Sequence, residues 1–193
     1  MVLLRSLFTG KAVDVIRVLL VNYPKAWNLR GLASEAGVSL RWASVVSRAL
    51  IRERLALRDS ARSELKLMAP VDLLKRWAAV NNFYANARFL DYYSKEEDVS
   101  KFFGALKKEE GKRQDYALTG LAGALVVAPY VRPANVHICV KTEEGAKKIA
   151  EEIGLAPVEE NGNVKFAVVA ASVLYGAREV GGVRVVSAVQ LYV

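Results

Sequence analysis

The segment from residue 29 to residue 50 constrains the fold of this chain more than any other stretch. Its small and apolar residues recur at helical spacing on both sides of Gly37, which predicts two helices joined by a sharp turn. Glycine suits such a turn because a helix end commonly needs a positive φ, which glycine adopts at little steric cost. Ala33 is small enough to let the second helix cross close above the first. The segment therefore predicts two crossing helices in close contact.

The second of these helices carries the residues of greatest interest. Ser39 is predicted to cap it, and Ala43, Val46 and Leu50 are spaced to form its buried side. This pattern is typical of the helix-turn-helix, in which the second helix enters the major groove of DNA. Residues at its start and off its buried side are therefore candidate DNA contacts. They are Ser39, Leu40, Arg41, Ser44, Ser47, Arg48 and Arg52.

Arginine and serine suit such a surface for different reasons. Arginine binds guanine edges with two hydrogen bonds or binds phosphate, whereas serines near helix starts usually hold phosphate. We expect Arg41 to contact a base edge or its neighbourhood, and Arg48, Arg58 and Arg62 to contact phosphate. The alternative is that these arginines are only solvated charges. Trp42 is expected to pack within the domain, with a dimer contact as the alternative.

Residues 1–80 are predicted to form a winged helix, which is three helices followed by a β-hairpin. Thr9 is expected to cap the first helix, and Asn28 and Ser39 the next two. Alternating residues at 55–58 and 63–67 predict the two strands, with Arg58 and Arg62 flanking the tip of the wing. A further helix is predicted over 70–80, with inward residues Val71, Leu74 and Trp77.

Residues 81–193 are predicted to form a small α/β domain, so the fold class of the whole chain is α+β. Its aromatic-rich start, 83–103, is assigned to core and dimer packing, and stacking on single-stranded bases is the alternative. The helices are predicted at 95–108, 116–127 and 142–153, with a final one capped by Ser187, and the strands at 136–141, 164–170 and 183–186.

Charge is distributed unevenly along the 193 residues. Residues 1–80 hold 14 Lys and Arg against 6 Asp and Glu, whereas residues 81–193 hold 14 of each, so the net charge of +8 lies in the first part. Such a concentration is expected for a domain that binds a polyanion. No apolar run is long enough for a membrane helix, and a single cysteine, Cys139, favours the reducing cytoplasm.

Evidence for catalysis in the sequence is thin. His137 and Cys139 share one face of a predicted strand, where a nucleophile pair is conceivable, but a structural strand is the better interpretation. The acidic pairs at 143–144, 151–152 and 159–160 diverge around their helices or loops and indicate a solvated surface. We therefore expect no catalytic residue, no metal and no cofactor.

Three segments of the second domain resemble a known family. ALTG at 117–120, APYVRP at 128–133 and GVRVVSAVQLY at 182–192 are similar to the AbiEi-type antitoxins and transcriptional regulators, and the domain order also matches. The resemblance implies a repressor that binds repeats near its own promoter. It further implies either a cognate toxin of the nucleotidyltransferase-like class as a partner, or a stand-alone regulator that has only the DNA function.

The sequence thus favours a sequence-specific regulator of transcription that binds double-stranded DNA as a homodimer in the cytoplasm. Two alternatives stay open. One is a nucleotidyltransferase-like enzyme with activity in residues 115–193, for which Asp115 is the only aspartate after Asp98. The other is a protein-interaction module in which both domains bind protein partners.

Overall fold

A computed structural model describes residues 7–60, 63–96, 99–108, 115–130 and 133–193. It confirms a protein of mixed helix and strand content with a mixed sheet. The chain divides into two compact units. Unit 1 is Met1–Asn82 with Tyr192–Val193, and unit 2 is Phe83–Leu191, so the division falls two residues after the predicted boundary.

Unit 1 consists of helices and one small antiparallel sheet. Its elements are α1 (Lys11–Val21), α2 (Leu29–Glu35), α3 (Leu40–Arg52), β1 (Ala56–Leu57), β2 (Lys66–Leu67) and α4 (Pro70–Val80). Leu57 lies opposite Lys66 in the sheet. An isolated antiparallel bridge between Trp27 and Leu65 joins the segment before α2 to the residue before β2. The strands are shorter than the alternation of residues predicted.

Local hydrogen bonds explain where the two central helices begin. The Asn28 side chain accepts from the Gly31 N–H at 2.7 Å, and the Ser39 hydroxyl accepts from the Trp42 N–H at 3.2 Å. Both predicted caps are therefore confirmed. The Thr9 cap is wrong, because α1 has Gly10 as its N-cap residue and no side chain caps it.

The core of unit 1 forms where α1, α2 and α3 meet, and Leu73 and Trp77 of α4 are buried as well. Its largest fully buried side chains are Leu7, Ile16, Leu19, Leu32, Leu50, Leu55, Leu65, Leu73 and Trp77. Trp77 is inward as predicted, and the Arg17 guanidinium lies 4.9 Å from its ring centroid. The prediction for Val71 is wrong, since its side chain is 58% exposed while Leu73 is buried, which places the inward face of α4 at Leu73 and Trp77.

Gly37 ends α2 in a left-handed conformation, with a φ of 61°. The Gly37 N–H donates to the Ser34 carbonyl at 3.2 Å, and the Val38 N–H donates to the Ala33 carbonyl at 3.0 Å. These two bonds are those of a Schellman motif, which reverses the chain at a helix end. The predicted positive φ is thus confirmed, and it sets the direction in which α3 leaves α2.

Replacing Gly37 by alanine is expected to destabilise unit 1 by about 1–2 kcal/mol, because a Cβ is unfavourable at this φ. No atom lies within 4 Å of where that Cβ would be, so steric contact adds nothing. All three tryptophans, Trp27, Trp42 and Trp77, belong to this unit, so denaturation followed by tryptophan fluorescence measures the change. Gly37→Asn is the control, since asparagine tolerates this conformation, and equal losses in both variants would contradict the explanation.

Unit 2 is built on a seven-stranded mixed sheet of order β6-β3-β7-β5-β4-β9-β8. The strands are β3 (Arg88–Tyr93), β4 (Tyr116–Thr119), β5 (Val136–Val140), β6 (Ala156–Pro157), β7 (Val164–Val168), β8 (Arg178–Val180) and β9 (Val183–Val185). The helices are α5 (Phe83–Asn86), α6 (Val99–Lys108), α7 (Gly120–Val127), α8 (Glu143–Glu152) and α9 (Ala188–Tyr192), with a 3₁₀ helix at Ala171–Leu174. Strands β5 and β7 are parallel, as are β4 and β9, and the other pairs are antiparallel.

Alternate residues of the central strands serve two separate hydrophobic clusters. Ile138 and Phe166 belong to the larger one, which includes residues of α6 and α8. Cys139 and Ala167 belong to the smaller one, which includes Leu174 of the 3₁₀ helix. Burial on both faces is the reason why these strands consist of nearly continuous apolar runs.

Three predicted strands and one predicted helix are confirmed, and each of their ends lies within two residues of its predicted position. They are the strands at 136–141, 164–170 and 183–186 and the helix at 142–153. Ser187 also caps α9, accepting from the Gln190 N–H at 3.2 Å. The single helix predicted at 116–127 is wrong. The first four residues form β4, fully buried, and only Gly120–Val127 is helical. A buried strand and a buried helix segment are equally apolar, so periodicity did not separate them.

Candidate nucleic-acid interface

Arg41, Arg48 and Arg52 form one stripe along α3, which we call the arginine stripe. Positions seven and four residues apart fall within about 40° of one another at about 100° per residue, and the stripe extends about 16 Å along the axis. Leu50, which is fully buried, lies on the opposite side of the helix. All three arginines are exposed. The packing of α3 thus turns a row of guanidinium groups outward.

The arginine stripe is not neutralised by neighbouring carboxylates. In the part of the chain that the structure describes, no hydrogen bond or ion pair engages the side chains of the three arginines. Glu53, the first acidic residue after the helix, instead pairs with Arg76 at 3.2 Å. Three guanidinium groups about 6–16 Å apart along a helix therefore remain available to an anionic partner.

Ser47 is a correction to the predicted surface. Its side chain is only 2% exposed, and its hydroxyl donates to the Ala43 carbonyl at 2.7 Å. The buried side of α3 is wider than predicted, because Ala49 is buried as well as Ala43, Val46 and Leu50. Ser47 therefore belongs to the core.

The start of α3 holds the remaining predicted residues. Ser39 is exposed and occupied with the cap, and Ser44 is partly exposed on the side of the arginine stripe. Leu40 is 47% exposed. Trp42 is 46% exposed, so the prediction that it packs within the domain is wrong. Trp42 is not among the predicted DNA contacts, although it stands in the exposed first turn of α3.

Hydrogen bonds of side chains order the segment that follows β1. The Arg58 Nε–H donates to the Ser63 carbonyl at 2.7 Å, and the Ser60 N–H donates to the Ser63 hydroxyl at 2.7 Å. Arg58 is therefore held to the turn that it flanks, which is a structural role beside the predicted phosphate contact. Arg62 lies outside the described residues.

A row of four polar residues crosses the sheet of unit 2, and the sequence did not predict it. Asp91, Lys165, His137 and Thr119 are register partners on four adjacent strands. The Lys165 Nζ donates to the Asp91 carboxylate at 2.5 Å, with side-chain exposures of 27% and 15%. The pairing of strands that are distant in the sequence assembles this row, so no local sequence pattern predicts it.

His137 and Cys139 share a face of β5 as predicted, but they do not form a nucleophile pair. Cys139 is fully buried between alanines of the neighbouring strands, Ala117 and Ala167. The imidazole ring packs edge-to-face with the rings of Tyr84 and Phe89, with distances of 5.5 and 6.1 Å between ring centroids. Burial, and then the charge of Lys165, lower the pKa of His137, which keeps it neutral near pH 7.

This lowered pKa makes the stability of unit 2 depend on pH. At pH values between the folded and unfolded pKa, the unfolded chain binds more protons at His137, so stability rises with pH and is lost as pH falls. We expect the thermal midpoint of unit 2 to drop between about pH 7 and about pH 5, above the range where carboxylates titrate. His137 is the only histidine, so His137→Gln should flatten the profile in calorimetry. Parallel profiles for the two proteins would contradict the assignment.

The acidic residues that the structure describes do not converge on one point. Asp115 forms an exposed ion pair with Lys141 at 2.9 Å, and Glu143 pairs with Arg88. The described residues contain no group of three or more histidine, cysteine, aspartate or glutamate side chains placed to hold a metal ion. None of the described helices has both the length and the apolar character that a membrane-spanning helix needs.

Comparison of the chain with models of protein families, with curated proteins and with solved structures found no match. Of the surfaces described above, the arginine stripe and its surroundings offer the most specific chemistry.

Proposed function

We propose that this chain is a sequence-specific regulator of transcription that binds double-stranded DNA through unit 1. In this proposal unit 1 is a winged helix, α3 lies in the major groove, and the β1–β2 turn lies beside the sugar-phosphate backbone. The observation that carries the proposal is the unpaired arginine stripe, exposed along the helix that a Schellman turn holds across α2.

Charge supports the same partner. The net charge of +8 lies in residues 1–80, and binding to DNA releases the counterions of each phosphate that an arginine neutralises. Exposed arginines on a helix of major-groove size fit this function better than a general solubility role, because all three face one side.

The family resemblance supplies the biological part of the proposal. A repressor of the AbiEi type would bind repeats near its own promoter as a homodimer, with unit 2 supplying contacts to a cognate toxin where one exists. Cys139 is the single cysteine of the sequence and is fully buried, so the fold uses no disulfide within the chain, which fits the proposed cytoplasmic location.

The test is direct binding of the full chain to DNA, measured by fluorescence anisotropy and nuclease protection on duplexes selected from a random library and on its own upstream region. About three phosphate contacts per chain should lower the affinity between about 50 mM and about 200 mM salt by roughly 40-fold for one chain on one half-site, and by about the square of that factor for a homodimer on two half-sites. A two-fold symmetric protected site would support the homodimer. Single-stranded oligonucleotides of the same sequence are the control.

Two results would overturn the proposal. One is an affinity for duplex DNA that does not change with salt. The other is failure of the random library to yield any preferred sequence. If the chain binds no DNA but captures the product of a neighbouring gene, the protein-interaction module is favoured instead.

A further inference from the structure

The start of α3 combines an exposed apolar side chain with the arginine stripe. Leu40 is the first residue of the helix, directly after the Ser39 cap, and 47% of its side chain is exposed. Around the helix axis it lies about 40° from Ser44, about 80° from Arg48 and about 20° from the buried Ser47, at the edge between the exposed side of α3 and its buried side. The exposed residues of the first turn are therefore Leu40, Arg41 and Trp42, and Leu40 lies nearer to Ser44 than Trp42 does.

In the major groove this combination has a specific chemical complement. The N-terminal residues of a recognition helix are those that reach base edges. The only apolar group on a base edge there is the 5-methyl of thymine, whereas the O6 and N7 atoms of guanine accept hydrogen bonds from arginine. A leucine isobutyl group desolvates a methyl group at no polar cost, but would leave the polar edge of the other bases unpaired.

We propose that Leu40 contacts the 5-methyl group of a thymine, and that this thymine is next to, or within two base pairs of, the base pair that Arg41 contacts. The inference rests on the proposed function and deepens it, since it assigns a specificity-determining residue and one base of the preferred duplex. Charge complementarity with the arginine stripe decides the occupant in favour of DNA.

The experiment is a double-mutant cycle between protein and DNA. The full chain first selects its preferred duplex from a random library, and each thymine is then replaced singly by uracil, which removes only the methyl group. We expect one replacement to weaken binding about fourfold, the effect of withdrawing one methyl contact. In Leu40→Ala the same replacement should have no effect, while the other base preferences persist.

Leu121→Ala is the matched control, because Leu121 lies on α7 in unit 2 and is 54% exposed. This variant should retain the full difference between thymine and uracil. Thermal melting of each variant checks that it is folded.

Several outcomes would overturn the inference and leave the proposed function intact. They are a preferred duplex in which no thymine methyl affects affinity, and a uracil effect that persists in Leu40→Ala. A change of oligomeric state in Leu40→Ala with the uracil effect unchanged would assign Leu40 to a contact between copies of the chain. Absence of any sequence preference would overturn both the inference and the proposed function.

Discussion

Replacing Arg41 by glutamine is expected to lower the affinity for the preferred duplex by about 5- to 150-fold, the range for losing one two-pronged contact to guanine. The loss should be concentrated at one base pair, so selection from a random library with the variant should yield a relaxed preference there. Arg41 stands in the first turn of α3, near Leu40, where side chains reach base edges.

Arg48→Gln is expected to act differently. A phosphate contact carries no sequence information, so this variant should bind all duplexes more weakly by a similar factor and reduce the salt slope by about 0.9 for each chain bound. Removing all three charges of the arginine stripe should reduce specific binding to the level of an unrelated duplex. Titrations at several salt concentrations measure both effects.

Lys75→Gln is the control for charge alone. Lys75 is exposed on α4 in the same unit and lies outside the arginine stripe. If Lys75→Gln weakens binding as much as Arg48→Gln, the attraction is a property of the net charge and the assignment of α3 fails. Ser47→Ala should leave affinity unchanged, because its hydroxyl is buried against the Ala43 carbonyl.

Replacing Gly162 by alanine is expected to destabilise unit 2 by about 3 kcal/mol or more, which is a fall of about 10 °C in its thermal midpoint. A Cβ at this position would lie 2.4 Å from the carbonyl oxygen of Tyr92 and 2.7 Å from its nitrogen. Both atoms are backbone atoms of β3, which is paired on both sides, so neither can move without disturbing the sheet.

The turn that contains Gly162 is also tied to β3 by polar contacts. The Gly162 N–H donates to the Asp91 carboxylate at 3.2 Å, and the Asn163 side chain makes two hydrogen bonds with the backbone of Ser94. A displaced turn would loosen these contacts, including the Asp91 that pairs with Lys165. The loss should therefore exceed the steric term alone.

Gly104→Ala is the matched control, since no atom lies within 4 Å of a Cβ at this position of α6. An alanine there should be neutral or stabilise by up to about 1 kcal/mol, because helix interiors disfavour glycine. Calorimetry measures both variants, and tryptophan fluorescence gives unit 1 as the reference. A Gly162→Ala protein that unfolds at the wild-type temperature would contradict the close approach to Tyr92.

Helix ends were predictable because their causes lie within a few residues of one another. Asn28 and Ser39 each bond an N–H three residues later, and Gly37 takes up the conformation that the end of α2 needs. Thr9 failed because many serines and threonines precede helices without capping them, and here Gly10 intervenes. Local chemistry thus predicted where α2 and α3 begin and which side of α3 carries arginine.

The width of a buried helix face depends on neighbours that the local pattern does not contain. Both α1 and α2 pack on α3, so its buried side extends to Ser47 and Ala49. A serine is inexpensive to bury there, because its own helix satisfies the hydroxyl. For the same reason the apolar type of Trp42 and Val71 did not predict their burial, since they are 46% and 58% exposed.

By itself the sequence determined the uneven charge, the guanidinium groups of α3 and the positions of α1, α2, α3, α4 and α8. The signals for these features lie within one or two helical turns. Only the tertiary structure decided the order of the seven strands, the row from Asp91 to Thr119, and the approach of Gly162 to Tyr92. Asp91 and Gly162 are separated by 71 positions in the chain. Contacts of that separation arise from sheet pairing and packing, which depend on the whole unit and leave no periodic trace in a local stretch of sequence.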